Sequence, residues 1–263
     1  MTRLLYVPGT LLTLILSGPV HAAPVTVDGA AVRSTVNGEA GWGIGATTSI
    51  NERPFLGVDD QQESLPYFSG EYGRFSIEGL DLSLALLARD KQRLSLVAVP
   101  RFYEVKASFA DQGELNGIST TQDTWFAGLG YQQNLSPLYL SAQALFDVGN
   151  ESDGTELTLS VSYPFGKETW TVIPAAGLTW QDESLVEHFY GVTADETAPG
   201  RPAYGDESSL NQHLSLTGIW QPHPHWRLLG AIKGERLGDG ITDSPIIEED
   251  QIGSMLFGVI YQF

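Results

Sequence analysis

Residues 254–263 read SMLFGVIYQF, and the chain ends there. Met255, Phe257, Val259, Tyr261 and Phe263 alternate with Ser254, Leu256, Gly258, Ile260 and Gln262. A residue period of two places the first set on one face of a strand and the second set on the other. Soluble chains usually fray in polar sequence at their termini. An aromatic-rich apolar row running to a final Phe instead matches a transmembrane β-barrel strand, with one face on lipid, the other on the lumen, and an aromatic in the interfacial girdle.

The opposite end supports export. Thr2 and Arg3 form a short n-region, residues 4–17 are mostly apolar, and Val20-His21-Ala22-Ala23-Pro24 offers small residues for cleavage. This is the pattern of a secretory signal peptide over residues 1–23, too short for a permanent span. Residues 24–39 are a polar, glycine-containing tail, and the barrel is expected over residues 40–263. No later stretch reaches the roughly 18 consecutive apolar residues of a spanning helix, so any crossing is made by strands.

Composition agrees. Glycine is frequent at 29 residues, aromatics make up 10%, and charged residues only 17%, against about 25% in soluble domains. With no cysteine, an exported chain has no disulfide framework and rests on its backbone ladder. A formal charge of −18 excludes nucleic acid as a partner and a polybasic membrane-surface mode.

Strand follows strand between the ends. Leu157, Leu159, Val161 and Tyr163 alternate with Thr158, Ser160 and Ser162. Trp170, Val172, Pro174, Ala176, Leu178 and Trp180 form another row with a tryptophan at each end, the height of a lipid-facing band, and Pro174 suits a bulge. Candidate strands lie near 40–51, 65–88, 92–106, 121–134, 137–148, 154–165, 168–181, 209–221, 225–237 and 251–263. The expected fold is therefore all-β, an antiparallel transmembrane barrel of about ten strands. Twelve is the alternative, reached by breaking 65–88 at Tyr72-Gly73 and adding a strand at 187–193. Alternation of short periplasmic turns with long outer loops favours ten, because that version of twelve puts the 107–120 connection in the periplasm. Inward rows should carry Thr158, Ser160, Ser162, Thr171, Thr179, Ser215, Thr217, Arg227, Lys233 and Glu235. Small barrels fill with such side chains, so a narrow or plugged lumen is expected.

Constellations for chemistry are sparse. His223-Pro224-His225 has two imidazoles, but it sits in a proline turn with no carboxylate close in sequence. Asp239, Asp243 and Glu248-Glu249-Asp250 lack the spaced pattern of a calcium loop, and read as a solvated loop near lipopolysaccharide and its bridging cations. His188 and His213 are candidate bases with Ser184, Ser208, Ser209 and Ser215 nearby, yet neither G-x-S-x-G nor H-E-x-x-H occurs. The expectation is no catalytic residue, no metal and no cofactor.

Two stretches say more than barrel physics. EHFYGVTADETAPGRPAY (187–204) and ERLGDGITDSPI (235–246), followed by the terminal GVIYQF, resemble the MipA/OmpV family of outer-membrane proteins. The motif positions fall on Phe189, Tyr190, Gly191, Val192, Arg201, Tyr204, Arg236, Leu237, Gly238, Asp239, Asp243, Ser244 and Pro245, with Phe189 where Tyr is usual. LPYFSGEYGRFSIEGL (65–80) resembles the segment around that family's second strand. The resemblance implies an outer-membrane barrel whose best-known member is a scaffold linking a lytic transglycosylase to a murein synthase; other members are described as antigens, adhesins or permeability proteins. The motif residues either order an outer cap or hold a ligand. Tyr261 and Phe263 resemble the signal read by the barrel assembly machinery. The expected function is a non-catalytic scaffold for cell-wall enzymes in the outer membrane, with a narrow solute channel as the alternative and a surface adhesin as the weaker one.

Overall fold

A computed structural model describes residues 41–102 and 113–263; the expected signal peptide (1–23) and tail (24–39) lie outside the described residues. The chain forms β1 (Gly43–Asn51), β2 (Gln61–Tyr72), β3 (Phe75–Gly79), β4 (Asp81–Arg89), β5 (Gln92–Arg101), β6 (Thr124–Asn134), β7 (Tyr139–Asp147), β8 (Thr155–Ser162), β9 (Phe165–Lys167), β10 (Trp170–Gln181), β11 (Ser209–His223), β12 (Trp226–Arg236) and β13 (Gln251–Gln262). Helix α1 (Glu183–Tyr190) and the short α2 (Asp239–Thr242) stand in the outer loops. Each strand pairs antiparallel with its neighbours, and the ladders β1–β13 and β10–β11 close the sheet. Closure removes the free edges that a bilayer cannot solvate. Among the described residues no helix is long and apolar enough to cross a membrane.

The barrel has twelve strands, not ten, with β9 as a short extension that pairs only with β10. The error lies in 65–88, which holds two turns rather than none. Gly73 (φ 62°) and Gly79 (φ 66°) each open a two-residue turn, between Tyr72↔Phe75 and Glu78↔Asp81. A hairpin this tight needs a positive φ at its first turn position, which glycine adopts without strain. The strand expected at 187–193 is instead the end of α1 and the start of the loop beyond it. Because both extra strands precede residue 102, the parity of every later loop is unchanged. Apart from the turn at 79–80, which ends β3 partway up the barrel, short turns stay at one end, which is therefore periplasmic, and long loops at the other.

Pro174 makes no bulge; the β10–β11 register runs unbroken through it. It lies where the β8 ladder ends, beyond Ala175↔Ser162, so its missing N–H falls beside the gap between β8 and β9. Bulges occur instead at Ala85/Leu87 and Trp220/His223.

The alternation read from sequence fixes the two faces. Met255, Phe257 and Tyr261 are exposed on the outward row while Leu256 and Ile260 are buried in the lumen. Aromatics ring the periplasmic rim: Tyr261 stacks on His225 and meets Trp226 and Phe263 edge-on. This is the interfacial girdle of an outer-membrane barrel. Inside, Tyr67, Ile173, Ile219, Leu229, Ala231, Leu256 and Ile260 pack as one apolar cluster toward the periplasmic side. Across it, Arg227 Nη1 lies 3.4 Å from Glu78 Oε1, which also accepts from the Tyr67 hydroxyl at 2.5 Å. Buried charges are tolerated only when paired in this way.

Candidate functional site

The outer mouth is closed by its own loops. Asp182 caps α1 by accepting from the Leu185 N–H at 3.0 Å, offsetting an orphan donor of the first turn. Leu185, Val186, Phe189 and Tyr190 lie on one stripe of this helix and are all buried. They join Phe55, Val99, Leu115, Ile118, Phe126, Leu145, Leu237, Ile241 and Ile246 in one apolar cluster. Phe55 and Tyr190 stack with ring centroids 5.9 Å apart. The Gly191 N–H donates to Glu187 O at 2.9 Å, and a Cβ on Gly191 would fall 2.3 Å from that carbonyl. Only glycine fits such an approach.

Polar contacts sew the loops together. Val192 and Tyr204 exchange backbone bonds of 2.8 and 2.9 Å. The Tyr204 hydroxyl donates to Gly240 O at 2.9 Å, and Ser244 Oγ to Tyr190 O at 2.6 Å. Arg201, buried, donates through Nε to Glu196 O at 3.0 Å and through Nη2 to Asn116 O at 2.9 Å. The Glu196 carboxylate accepts from the N–H of Ser119 at 2.6 Å and of Thr193 at 2.8 Å. Segments 113–119, 182–208 and 237–250 thus become one lid, and the 52–60 loop joins through the Leu56 N–H to Ile246 O bond of 3.0 Å.

Electrostatics follow from this packing. Burial pushes the Tyr190 phenol well above its ordinary value, and the negative charge of Glu235 adds to the effect. Burial also raises Glu196, but hydrogen bonds from Ser119 and Thr193 outweigh it and hold the carboxyl below its usual range. Burial lowers His188, partly opposed by Glu151 and Asp147.

Beneath the lid lies a chamber of about 210 Å³, roofed by Phe55 and Tyr190. Thr158, Ser160, Thr179, Ser215, Lys233 and Glu235, all expected on inward rows, line it. So does His213, with Ser95, Ser141 and Ser254 from strands further round. Its charges come mainly as pairs: Arg101–Glu156 at 2.5 Å, Lys233–Glu235 at 2.6 Å, and Arg53–Glu63 at 3.7 Å beside it. None of the residues of the periplasmic-side apolar cluster lines it. The chamber is small, mixes polar and apolar lining, lies under the apolar cluster of the lid, and on the β5–β7 side runs down to Arg93, Gln132 and Ser141 near the periplasmic turns.

The family-motif residues divide into two groups. Phe189, Tyr190, Gly191, Arg201, Tyr204 and Ser244 meet within the lid. Arg236, Asp239 and Asp243 are exposed, and Pro245 is half-buried. Tyr261 and Phe263 sit at the periplasmic rim, where the Phe263 N–H donates to Trp42 O at 2.9 Å. Among the described residues no group of His, Asp and Glu is arranged to hold a metal, and His225 instead engages Gln262 O at 2.9 Å. Sequence reasoning missed Phe55, Glu196 and the Arg101–Glu156 pair. The capping signal Thr193-x-x-Glu196 was legible for Glu196; an ion pair between distant strands leaves no local pattern.

A family model described as "MltA-interacting protein MipA" matches residues 44–263. The MltA-interacting protein of Escherichia coli K12 is 26% identical over 226 residues, 86% of this chain and 91% of its own. The putative outer membrane protein YiaT of the same strain is 26% identical over 221 residues, 84% of this chain and 90% of its own. The outer membrane protein OmpV of Vibrio cholerae is 24% identical over 158 residues, 58% of this chain and 61% of its own. Among solved structures the NanC porin superposes with a TM-score of 0.48 at 8% identity, covering 84% of this chain and 100% of its own, too distant to carry an argument about function. None of these relatives bears a catalytic name. With a closed girdled barrel and a family match spanning nearly the whole of it, this chain belongs to the MipA family of outer-membrane proteins.

Proposed function

We propose that the protein is a closed, non-catalytic docking barrel that holds peptidoglycan-remodelling enzymes at the inner face of the outer membrane. The observation that carries this reading is the apolar cluster of the lid, which shuts the outer mouth above the chamber. A barrel so capped offers surfaces rather than a through-path, and the relative named for its interaction with MltA supports a lytic transglycosylase as partner. A murein synthase would be the second enzyme. In this reading residues 1–23 direct export, and residues 24–39 add to a small periplasmic contact surface. Tyr261 and Phe263 present the assembly signal. The family-motif residues of the lid serve to keep the outer mouth shut, and the exposed Arg236, Asp239 and Asp243 face lipopolysaccharide.

The test is affinity capture of the tagged protein from cross-linked envelopes, with an unrelated barrel as control. Enrichment of a transglycosylase or murein synthase, lost when the periplasmic turns at 73–74, 135–138 and 224–225 are replaced together, is the expected result. Recovery of assembly factors alone overturns the scaffold. Planar bilayers should stay silent with folded protein; steady unit conductance would instead favour the channel.

A further inference from the structure

The chamber beneath the lid carries hydrogen-bonding capacity that the fold leaves unused. Asn51 Oδ1, Arg93 Nη2 and His213 Nδ1 belong to its lining, are buried, and have no hydrogen-bond partner among the described residues. Asn51, only 5% exposed, is the last residue of β1; its Nδ2 donates to Ser49 Oγ at 3.0 Å, and the amide oxygen is left over. His213 stands opposite Glu235 in the β11–β12 register, but that carboxylate already accepts from Lys233 Nζ at 2.6 Å and Asn211 Nδ2 at 3.2 Å. Arg93 lies next to the β4–β5 turn with Glu71 Oε1 at 3.7 Å, beyond hydrogen-bond reach. Native folds pair nearly all buried polar groups, because an orphan pays its full desolvation.

The rest of the lining defines what would pair with these atoms. Four basic side chains are matched by four acidic ones, so the chamber does not select for net charge. Hydroxyls ring its wall: Ser95, Ser141, Thr158, Ser160, Thr179 and Ser215 come from five strands. A hydroxyl both donates and accepts, and suits a partner that is itself rich in hydroxyls. The roof is aromatic, made by the stacked rings of Phe55 and Tyr190. Ring faces beside a few placed polar groups are the usual composition of a small-molecule site. At about 210 Å³, the chamber falls below the roughly 300–1,000 Å³ of sites for drug-sized ligands.

We propose that the chamber binds one uncharged saccharide of one or two rings, admitted from the periplasm. Its hydroxyls supply a donor for Asn51 Oδ1, an acceptor for Arg93, and either role for His213. The apolar cluster of the lid shuts the outer mouth, whereas on the β5–β7 side the lining descends to Arg93, Gln132 and Ser141 near the periplasmic turns. The part-exposed Arg93–Glu71 pair stands at this entrance. Entry and exit share one side, so the site retains its ligand rather than conducting it. Such a site is independent of the docking surfaces of the rim.

The test is titration calorimetry of the folded protein in amine-oxide micelles, free of sugar-headed detergent, with glucose, maltose and N-acetylglucosamine as probes. Saturable binding of at least one is expected. Asn51→Leu and His213→Leu should each weaken it at least about tenfold, the worth of one or two hydrogen bonds. Both should leave the thermal unfolding midpoint unchanged or higher, because each removes an orphan; a merely structural role would lower it. Thr179→Val, nearly isosteric, replaces either variant that does not fold. No binding of any probe, which leaves ordered water as the occupant, overturns the proposal, and so does binding unchanged in the variants. The route is read by single thiols, since the chain has no cysteine. Ser141→Cys alkylated with N-phenylmaleimide should block binding, and Thr197→Cys, exposed on the lid, should not when treated alike. An unreactive Ser141→Cys, or the reverse pattern, overturns entry from the periplasm.

Discussion

At the outer end, Phe189 is 1% exposed and Ile241 0%, held in a cluster that draws on several loops and strands. At the periplasmic end, Phe263 is 73% exposed and Tyr261 36%, ringed by other aromatics but open to their surroundings. The same residue types serve two solvents. Where the chain is long enough to fold back, as in 182–208 and 237–250, aromatics are taken into a water-excluding core. Where the turns are two to four residues long, aromatics spread sideways into the membrane interface. One end behaves as a small globular domain set on the barrel. The other is a thin rim whose shape is fixed by strand register alone.

Removing a side chain from the lid should be the most damaging change. Phe189→Ala leaves a cavity in a fully packed cluster and should cost about 3–5 kcal/mol. Urea unfolding of the protein folded in micelles measures this, and protease cleavage within 182–208 should appear at the same time. An unchanged midpoint would mean that the outer cluster is no more cohesive than the rim. Arg201→Ala comes next. It strips the carbonyls of Glu196 and Asn116 of a buried donor, for about 1–3 kcal/mol, and should loosen the lid against protease without altering strand content by circular dichroism.

The barrel was legible in sequence for the reason that makes it a barrel. In 251–262 one face meets lipid and one meets the lumen, so the period of two is written plainly. In the segment 65–88 the turn at Gly73, between Glu71 and Arg74, was legible as a possible break, whereas the turn at Gly79 was hidden: Leu80 follows Gly79 as any lipid-facing leucine would. Turn chemistry reads as turn only against a polar background. Helix α1 carries a signal of its own. Leu185, Val186, Phe189 and Tyr190 keep helical spacing behind an Asp182 N-cap and before Gly191, but the strands on either side favour a reading at period two. The lid contacts were legible as motif residues and illegible as contacts. Nothing in sequence brings Ser244 to the carbonyl of Tyr190, or Arg101 to Glu156.

Acid should act on the outer end before it touches the rim. Glu196 titrates lower in the fold than unfolded, so its contribution is whole above the ordinary carboxylate value near about 4.3 and is lost as pH falls through the lower folded value. His188 is also depressed; its contribution is full above about 6.5 and begins to fall below it. Both signs agree: the lid weakens as pH drops, beginning near the histidine and continuing into the carboxylate range. Hydrogen exchange of 183–204 followed from pH 7 to pH 4, with rates corrected for intrinsic pH dependence, should show falling protection. Lid protection that holds constant, or that rises toward acid, contradicts the assignment.

The smallest effect on stability, and the sharpest separation of the two ends, should come from His225→Ala. His225 stacks on Tyr261 at 5.6 Å and contacts Gln262 O, but it is exposed and makes no part of either apolar cluster. Exposed turn substitutions of this kind change stability by about 0.5 kcal/mol or less. If the periplasmic rim is the docking surface, that near-neutral change should nevertheless weaken capture of the cell-wall enzymes. Phe189→Ala, destabilising as it is, should leave capture by the surviving folded protein intact. A stability–capture plot of the two variants would then place them on opposite axes. If His225→Ala leaves capture whole while Phe189→Ala abolishes it, partners read the lid end of the molecule, and the rim is only the membrane-facing edge of the barrel.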